Sequence, residues 1–208
     1  MNAHNFYNDL QHEQQYQNIA DAFYAKHFGV SDIVRYNKNT QEHLKIQRQD
    51  IDVSFTHKGK HINISEKFRD KDFNDLYIEF YSKFPKVRGW LDNSQADFLA
   101  YFTPLRVILV NEKKLSEFYK TTLSLAVSDD VLSDFNSKNL NNNAKKRIQL
   151  KVKNHIYYAT LIQAYNVTTN ALWHTIGIAI PLTMLDNFGV HYKIINCEIN
   201  IRNAHIAQ

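Results

Sequence analysis

Apolar residues recur along this chain with two different periods, and each change of period marks an element. From Asn8 to Phe28, Tyr16, Ile19, Ala20 and Phe23 fall at helical spacing, which predicts one helix that Gly29 stops. Arg35 to Gln41 is polar and reads as a connection or a short edge strand. Strict alternation then sets in, predicting strands at Ile46–Thr56 and His61–Phe68 joined by a turn at Lys58-Gly59. In the first, Ile51, Val53 and Phe55 share one face, with Asp50, Asp52 and Ser54 on the other. In the second, Ile62, Ile64 and Phe68 oppose Ser65 and Lys67. Helical spacing returns with Asp72 as N-cap and Phe73, Leu76, Tyr77, Phe80, Tyr81 and Phe84 as the apolar stripe, ended by Pro85.

Further on, Ala96–Thr103 and Leu105–Val110 read as strands, and Asn111–Thr121 as a helix capped by Asn111. The asparagine-rich stretch Asn136–Asn143 is a loop. Beyond it Ile148, Leu150 and Val152 alternate with Gln149, Lys151 and Lys153, a strand with one basic face. Thr175–Ile180 and His191–Ile201 are the last expected strands. No internal repeat is present. The elements predict an α/β protein of one domain over residues 1–208, with a core at about 8–110 and a basic, β-rich part at about 136–208.

Composition narrows the function. A 44% hydrophobic and 13% aromatic content suffices for a core, yet no run reaches the roughly 18 apolar residues of a membrane span. The first residues have neither a basic region nor an apolar run, so a cytoplasmic protein is expected. The single cysteine, Cys197, excludes an intramolecular disulfide and a multi-cysteine zinc site, and reads as a small buried hydrophobe. The histidines show no convincing ligand spacing. The five glycines do not cluster, which argues against a phosphate loop and hence a nucleotide-hydrolysing motor or kinase.

The net charge of +4 is unevenly spread. Between Asp134 and Asp186 there is no acid, while Lys138, Lys145, Lys146, Arg147, Lys151 and Lys153 fall inside that interval. Such a field suits a polyanion, nucleic acid foremost, although a solvated basic face would look the same. Arg88 and Trp90 fall in an expected loop where they could meet DNA; Trp90 reads first as a packing anchor.

The chemistry sits on the hairpin. Asp52 on one strand and Lys67 on its partner can share the polar face, although alternation alone does not fix the register. The order of helix, hairpin, helix and strand, with these two residues so placed, resembles the PD-(D/E)XK nuclease superfamily, which includes many type II restriction endonucleases. The likeness covers residues 8–110, and the runs I-S-E-K-F, G-W-L and A-D-F-L-A-Y look like those of small bacterial members. It implies a restriction-endonuclease-like core, a central mixed sheet flanked by helices in α-β-β-α-β order. It also implies Mg²⁺, with Mn²⁺ as a possible substitute, double-stranded DNA as substrate, and a homodimer. Asp52 would bind the metal and Lys67 would support the attacking water, with Lys145, Lys146, Arg147, Lys151, Lys153 and Arg88 on the phosphate backbone.

One position departs from the pattern. The superfamily expects an acid two residues before the lysine, where Ser65 stands. Glu66 could serve if a bulge re-aimed it. The preferred alternative is Glu79 on the following helix, because a subgroup of these enzymes carries S-x-K on the strand and its glutamate on the next helix. Glu13 on the first helix is a further candidate ligand, and Asp50 a secondary one. The competing readings are the same fold binding DNA or protein without cleavage, and a plain exposed acidic face.

Overall fold

A computed structural model describes residues 6–168 and 170–197, with side chains from Tyr16 onward. In chain order it places α1 (Phe6–Phe28), β1 (Val34–Arg35), α2 (Gln41–Gln47), β2 (Val53–His57), β3 (Lys60–Phe68), β4 (Asp75–Lys83) and β5 (Val87–Arg88). After a 3₁₀ turn at Trp90–Asp92 come β6 (Phe98–Phe102), β7 (Arg106–Asn111) and α3 (Glu112–Phe118), which runs through a π-helical segment, Tyr119–Leu123, into α4 (Ser124–Ala126). The rest is α5 (Asp129–Ser137), β8 (Ala144–Val152), β9 (His155–Val167), β10 (Leu172–Pro181), α6 (Leu182–Asn187) and β11 (Tyr192–Asn196). The protein is mixed α/β, with two sheets flanked by helices. Among the described residues no helix is long and apolar enough to cross a membrane.

The chain forms two compact units that interleave in sequence. Of the described residues, the first holds those up to Phe73, Ser94–Lys113 and 192–197. Its sheet runs β1-β2-β3-β6-β7-β11, antiparallel throughout except for the parallel β3–β6 pair. The β2–β3 hairpin turns at Lys58 and Gly59, with φ of 50° and 75°, the left-handed pair that matches strand twist. Helix α1 ends at Gly29, also left-handed, whose N–H donates to the Ala25 carbonyl at 3.0 Å. The α1 stripe Ala20, Phe23 and Tyr24 packs on Val53, Phe55, Ile64 and Phe102. Phe23 meets Phe102 edge-on at 5.5 Å, and Cys197 joins this core half-buried.

The second unit holds Asn74–Asn93 and Lys114–His191. Its antiparallel sheet runs β5-β4-β10-β9-β8. Leu76, Ile78 and Phe80 of β4, Leu161 of β9 and Ile176 and Ile178 of β10 are fully buried, as are Leu132 of α5 and Leu185 of α6.

Three expectations are corrected. The stretch from Ile46 is not strand: Ile46 and Gln47 close α2, Asp50 turns left-handed with φ 54°, and the strand begins only at Val53. The expected helix from Asp72 is strand β4, so the α-β-β-α-β order fails at its second helix. The segment D-L-Y-I-E-F-Y fits both periods, and its β-branched and aromatic residues tip it to strand once β5 and β10 offer pairing on both sides. Asp72 caps no helix; it takes the Arg106 guanidinium at 2.6 Å and the Thr103 hydroxyl at 2.9 Å. Lastly, β5, which takes Arg88 out of its expected loop, and β9, α2, α5 and α6 were not expected, whereas the strands about 98–102, 106–111, 148–152, 175–180 and 192–196 fall where alternation placed them. Part of the expected His191–Ile201 strand lies outside the described residues.

Candidate functional site

The polar cluster of the first unit is built from the end of α2, the hairpin and the junction of β7 with α3. Lys67 and Ser65, two apart on β3, project to one side. Lys67 Nζ lies 2.8 Å from Asp50 Oδ1 and 3.0 Å from Ser65 Oγ, and Ser65 Oγ donates to Asp50 Oδ2 at 2.6 Å. A second carboxylate, Asp52 Oδ2, stands 3.8 Å from the same ammonium and accepts the Glu66 backbone N–H at 2.7 Å. Asp50 reaches Lys67 because of its left-handed turn, a conformation that aspartate tolerates better than most residues. Its N–H donates to the Gln47 carbonyl at 2.9 Å and holds that turn.

Electrostatics separate the two acids. The Asp50 side chain is 14% exposed and that of Asp52 40%, with Lys67 at 26%. Burial pushes the Asp50 carboxyl up; Lys67 pulls it back, Asp52 pushes it further, and the result stays above the ordinary value. Desolvation works against the Lys67 ammonium, but Asp52 and Asp50 together outweigh it, so Lys67 titrates above its ordinary value and stays a cation at neutral pH. The cluster therefore presents a held ammonium, a buried carboxylate locked by two donors, and a second carboxylate open to solvent.

One acid that faces this cluster was not foreseen. Glu112, the first residue of α3, is 1% exposed, and neither carboxylate oxygen has a hydrogen-bond partner. Burial raises its carboxyl to about 7; the nearby Ser94 hydroxyl lowers it, Asp50 repels it and Lys67 attracts it. Strand register brings it there: Ile64 of β3 pairs with Phe98 of β6, and Phe98 with Asn111 of β7. Nothing local in N-E-K-K announces this, because the placement rests on pairing across three strands.

The remaining candidates lie elsewhere. Glu66 points to the opposite face of β3, where Arg35 holds it at 2.8 and 3.2 Å and the buried Tyr24 hydroxyl donates to it at 2.9 Å. Burial raises its carboxyl, with Arg35 pulling the other way. No bulge re-aims it, and this face is a structural ion pair extended by Asp21 on Arg35. Glu79 sits on strand β4 of the second unit and not on a helix, opposite Gly177 in register. Gly89 packs against its backbone so closely that an added Cβ would stand 1.9 Å from the Glu79 carbonyl oxygen. Glu13 falls on α1, with its side chain outside the described residues.

The basic residues separate as well. Lys145, Arg147 and Lys151 share the exposed face of β8. Lys146 lies on the other face, near enough to Asp134 to lower its carboxyl further after Lys138. Lys153 stands 4.5 Å over the Phe188 ring, and Arg88 stacks 4.3 Å over Tyr81 while pairing with Asp129 at 3.0 Å. Trp90 is half-buried in its 3₁₀ turn.

Whether this cluster suits a divalent cation turns on its donors. Asp52 offers hard carboxylate oxygens of the kind Mg²⁺ prefers and is reachable from solvent, with Asp50 beside it already engaged by Lys67 on one oxygen and Ser65 on the other. Among the described residues no three His, Cys, Asp or Glu side chains form a ligand group. The donor set thus fits an ion held by one or two carboxylates and completed by water and substrate phosphate, the usual habit of Mg²⁺, and not a full protein cage. No family model matches this sequence, and comparison with curated proteins and with solved structures returned no match.

Proposed function

We propose that this chain is a Mg²⁺-dependent endodeoxyribonuclease, of restriction type or from a related defence or mobile-element system, that hydrolyses phosphodiester bonds in double-stranded DNA. The observation that carries the reading is Lys67 held on a strand between Asp50 at 2.8 Å and Asp52 at 3.8 Å. A restriction-endonuclease-like core belongs to the same proposal. It is supported by α1 packing on a mixed sheet in which β6 runs parallel to the lysine-bearing β3.

Asp52, with Asp50 beside it, would hold Mg²⁺, or Mn²⁺ in its place. Bound there, the ion supplies charge to polarise the phosphate and acidity to the attacking water. The protein's own part is electrostatic. Lys67 stays protonated and offsets the negative charge that develops on the phosphate, while Ser65 and Asp50 fix the ammonium's position. Lys145, Arg147 and Lys151 would meet the backbone of the strand. Restriction-type cutting of both strands calls for two copies of the site, hence a homodimer.

The test is incubation of supercoiled plasmid and unmethylated phage DNA with the purified chain in Mg²⁺, Mn²⁺ or EDTA. Discrete fragments that need metal support a sequence-specific endonuclease. Intact DNA in every condition favours the second reading, a nuclease-fold module that binds without cutting, which Ser65 at the usual acid position already recommends.

A further inference from the structure

The outer face of the β8–β9 ribbon combines charge with an aromatic ring in a way backbone contact alone does not require. Strand β8 is a sheet edge, and its outward residues are Lys145, Arg147, Gln149 and Lys151. Across the ribbon Gln149 pairs with Tyr158 and Lys151 with Ile156. Tyr158 and Ile156 each stay 57% exposed. The Arg147 guanidinium lies 4.7 Å over the Tyr158 ring, as expected of diagonal neighbours on one face. Neither strand carries an acidic residue.

We propose that this face binds unpaired nucleotides, with Lys145, Arg147 and Lys151 along the phosphates and a base stacked on Tyr158. An exposed aromatic beside a row of cations is the arrangement that single strands use, because every base offers a π-face regardless of sequence. The bases of a closed duplex are stacked on one another and present no face to Tyr158, so the ring favours a separated strand, a flap or a gap. Gln149, between Arg147 and Lys151, supplies both a donor and an acceptor for a base edge. The inference concerns binding alone, and it survives if the Asp50–Lys67 cluster cuts nothing.

The experiment is fluorescence anisotropy of the full chain in EDTA with a labelled 20-nucleotide strand, its duplex, an RNA strand of the same sequence, and phosphatidylserine vesicles. The expected result is single-strand binding at least tenfold tighter than duplex binding, weakening steeply with salt. Tyr158→Ala should cost the single strand about tenfold, leave the duplex unchanged and be rescued by Tyr158→Phe. The triple variant Lys145→Glu, Arg147→Glu, Lys151→Glu should abolish both. The RNA arm reads which sugar is preferred, and tight binding of either strand upholds unpaired nucleotides as the ligand. Equal affinity for duplex and strand, indifference to Tyr158→Ala, or binding to vesicles in place of nucleic acid would overturn the proposal. Circular dichroism confirms that these exposed substitutions leave the fold intact.

Discussion

Lys67 Nζ and Asp50 Oδ1 lie 2.8 Å apart, joining β3 to a left-handed turn that closes α2. Their side chains are only 26% and 14% exposed, so removing Lys67 leaves Asp50 largely buried without its counterion. Lys67→Ala should therefore destabilise the protein by about 1–3 kcal/mol, discounted from the fully buried case because Lys67 still touches solvent. Under the nuclease proposal it should also lower metal-dependent cleavage by about 10²-fold or more. Thermal denaturation and single-turnover cleavage read the two effects separately. Cleavage at the wild-type rate by a folded Lys67→Ala protein would remove Lys67 from the site.

Asp52 separates stability from chemistry better than its neighbour. With its side chain 40% exposed, Asp52→Asn should shift Tm little. Millimolar Mg²⁺ should raise the wild-type Tm by a few degrees through mass action and leave Asp52→Asn unmoved. Equal shifts in the two proteins would place the ion elsewhere, and no shift in either would favour the binding module.

Glu66 tests the other side of the same strand. Its carboxylate anchors Arg35 and receives Tyr24, all in the core of the first unit. Glu66→Gln should cost about 1–3 kcal/mol, because the largely buried Arg35 guanidinium is left with Asp21 alone as its charge partner. Its Mg²⁺-induced Tm shift should equal that of the wild type. A lost shift with an unchanged melting point would return Glu66 to the list of ligands.

The contrast between Glu66 and Ser65 was legible in the sequence, since alternation along I-S-E-K-F puts them on opposite faces and β3 obeys it. The hairpin turn and the first helix could be read in the same way, whereas the approach of Asp52 to Lys67 was open until the register was known, and Asp52 stands just ahead of β2. Two features could not. The segment from Asp75 to Lys83 satisfies helical and strand periods together, and only its partners β5 and β10 decide. Glu112 comes within electrostatic reach of Lys67 through a register running across β3, β6 and β7, which no local pattern encodes. Asp50 was weighed as a strand residue, whereas a left-handed turn delivers it to the lysine.

Gly89 gives a backbone test in the second unit. Its N–H donates to the Phe80 carbonyl at 2.9 Å, and an added Cβ would lie 1.9 Å from the Glu79 oxygen. That neighbour is backbone and cannot swing aside, so Gly89→Ala should cost about 1–3 kcal/mol through overpacking. Chemical denaturation would show it as a lower midpoint. An unchanged midpoint would mean that β4 and β5 do not approach as described.

Glu112 makes stability depend on pH in a direction that can be worked out. Its carboxyl is raised to about 7 from an ordinary 4.5. The folded protein thus holds a proton that the unfolded chain releases between those values. The stability contributed by the neutral acid is fully present below about pH 4.5 and is lost as pH rises through about 7, by up to roughly 3 kcal/mol. Asp50 and Glu66, also raised, add slope of the same sign. Glu112→Gln cannot ionise, so its Tm should exceed the wild-type value at pH 8, with the advantage shrinking or reversing by pH 5. At roughly 2–4 °C per kcal/mol for a chain of this size, the difference between the two pH values should amount to several degrees. Parallel Tm profiles for the two proteins from pH 5 to 8 would mean that Glu112 is hydrated and not held bare beside the cluster. A flattened profile in the variant would identify the acid that keeps a proton close to Lys67 and Asp50.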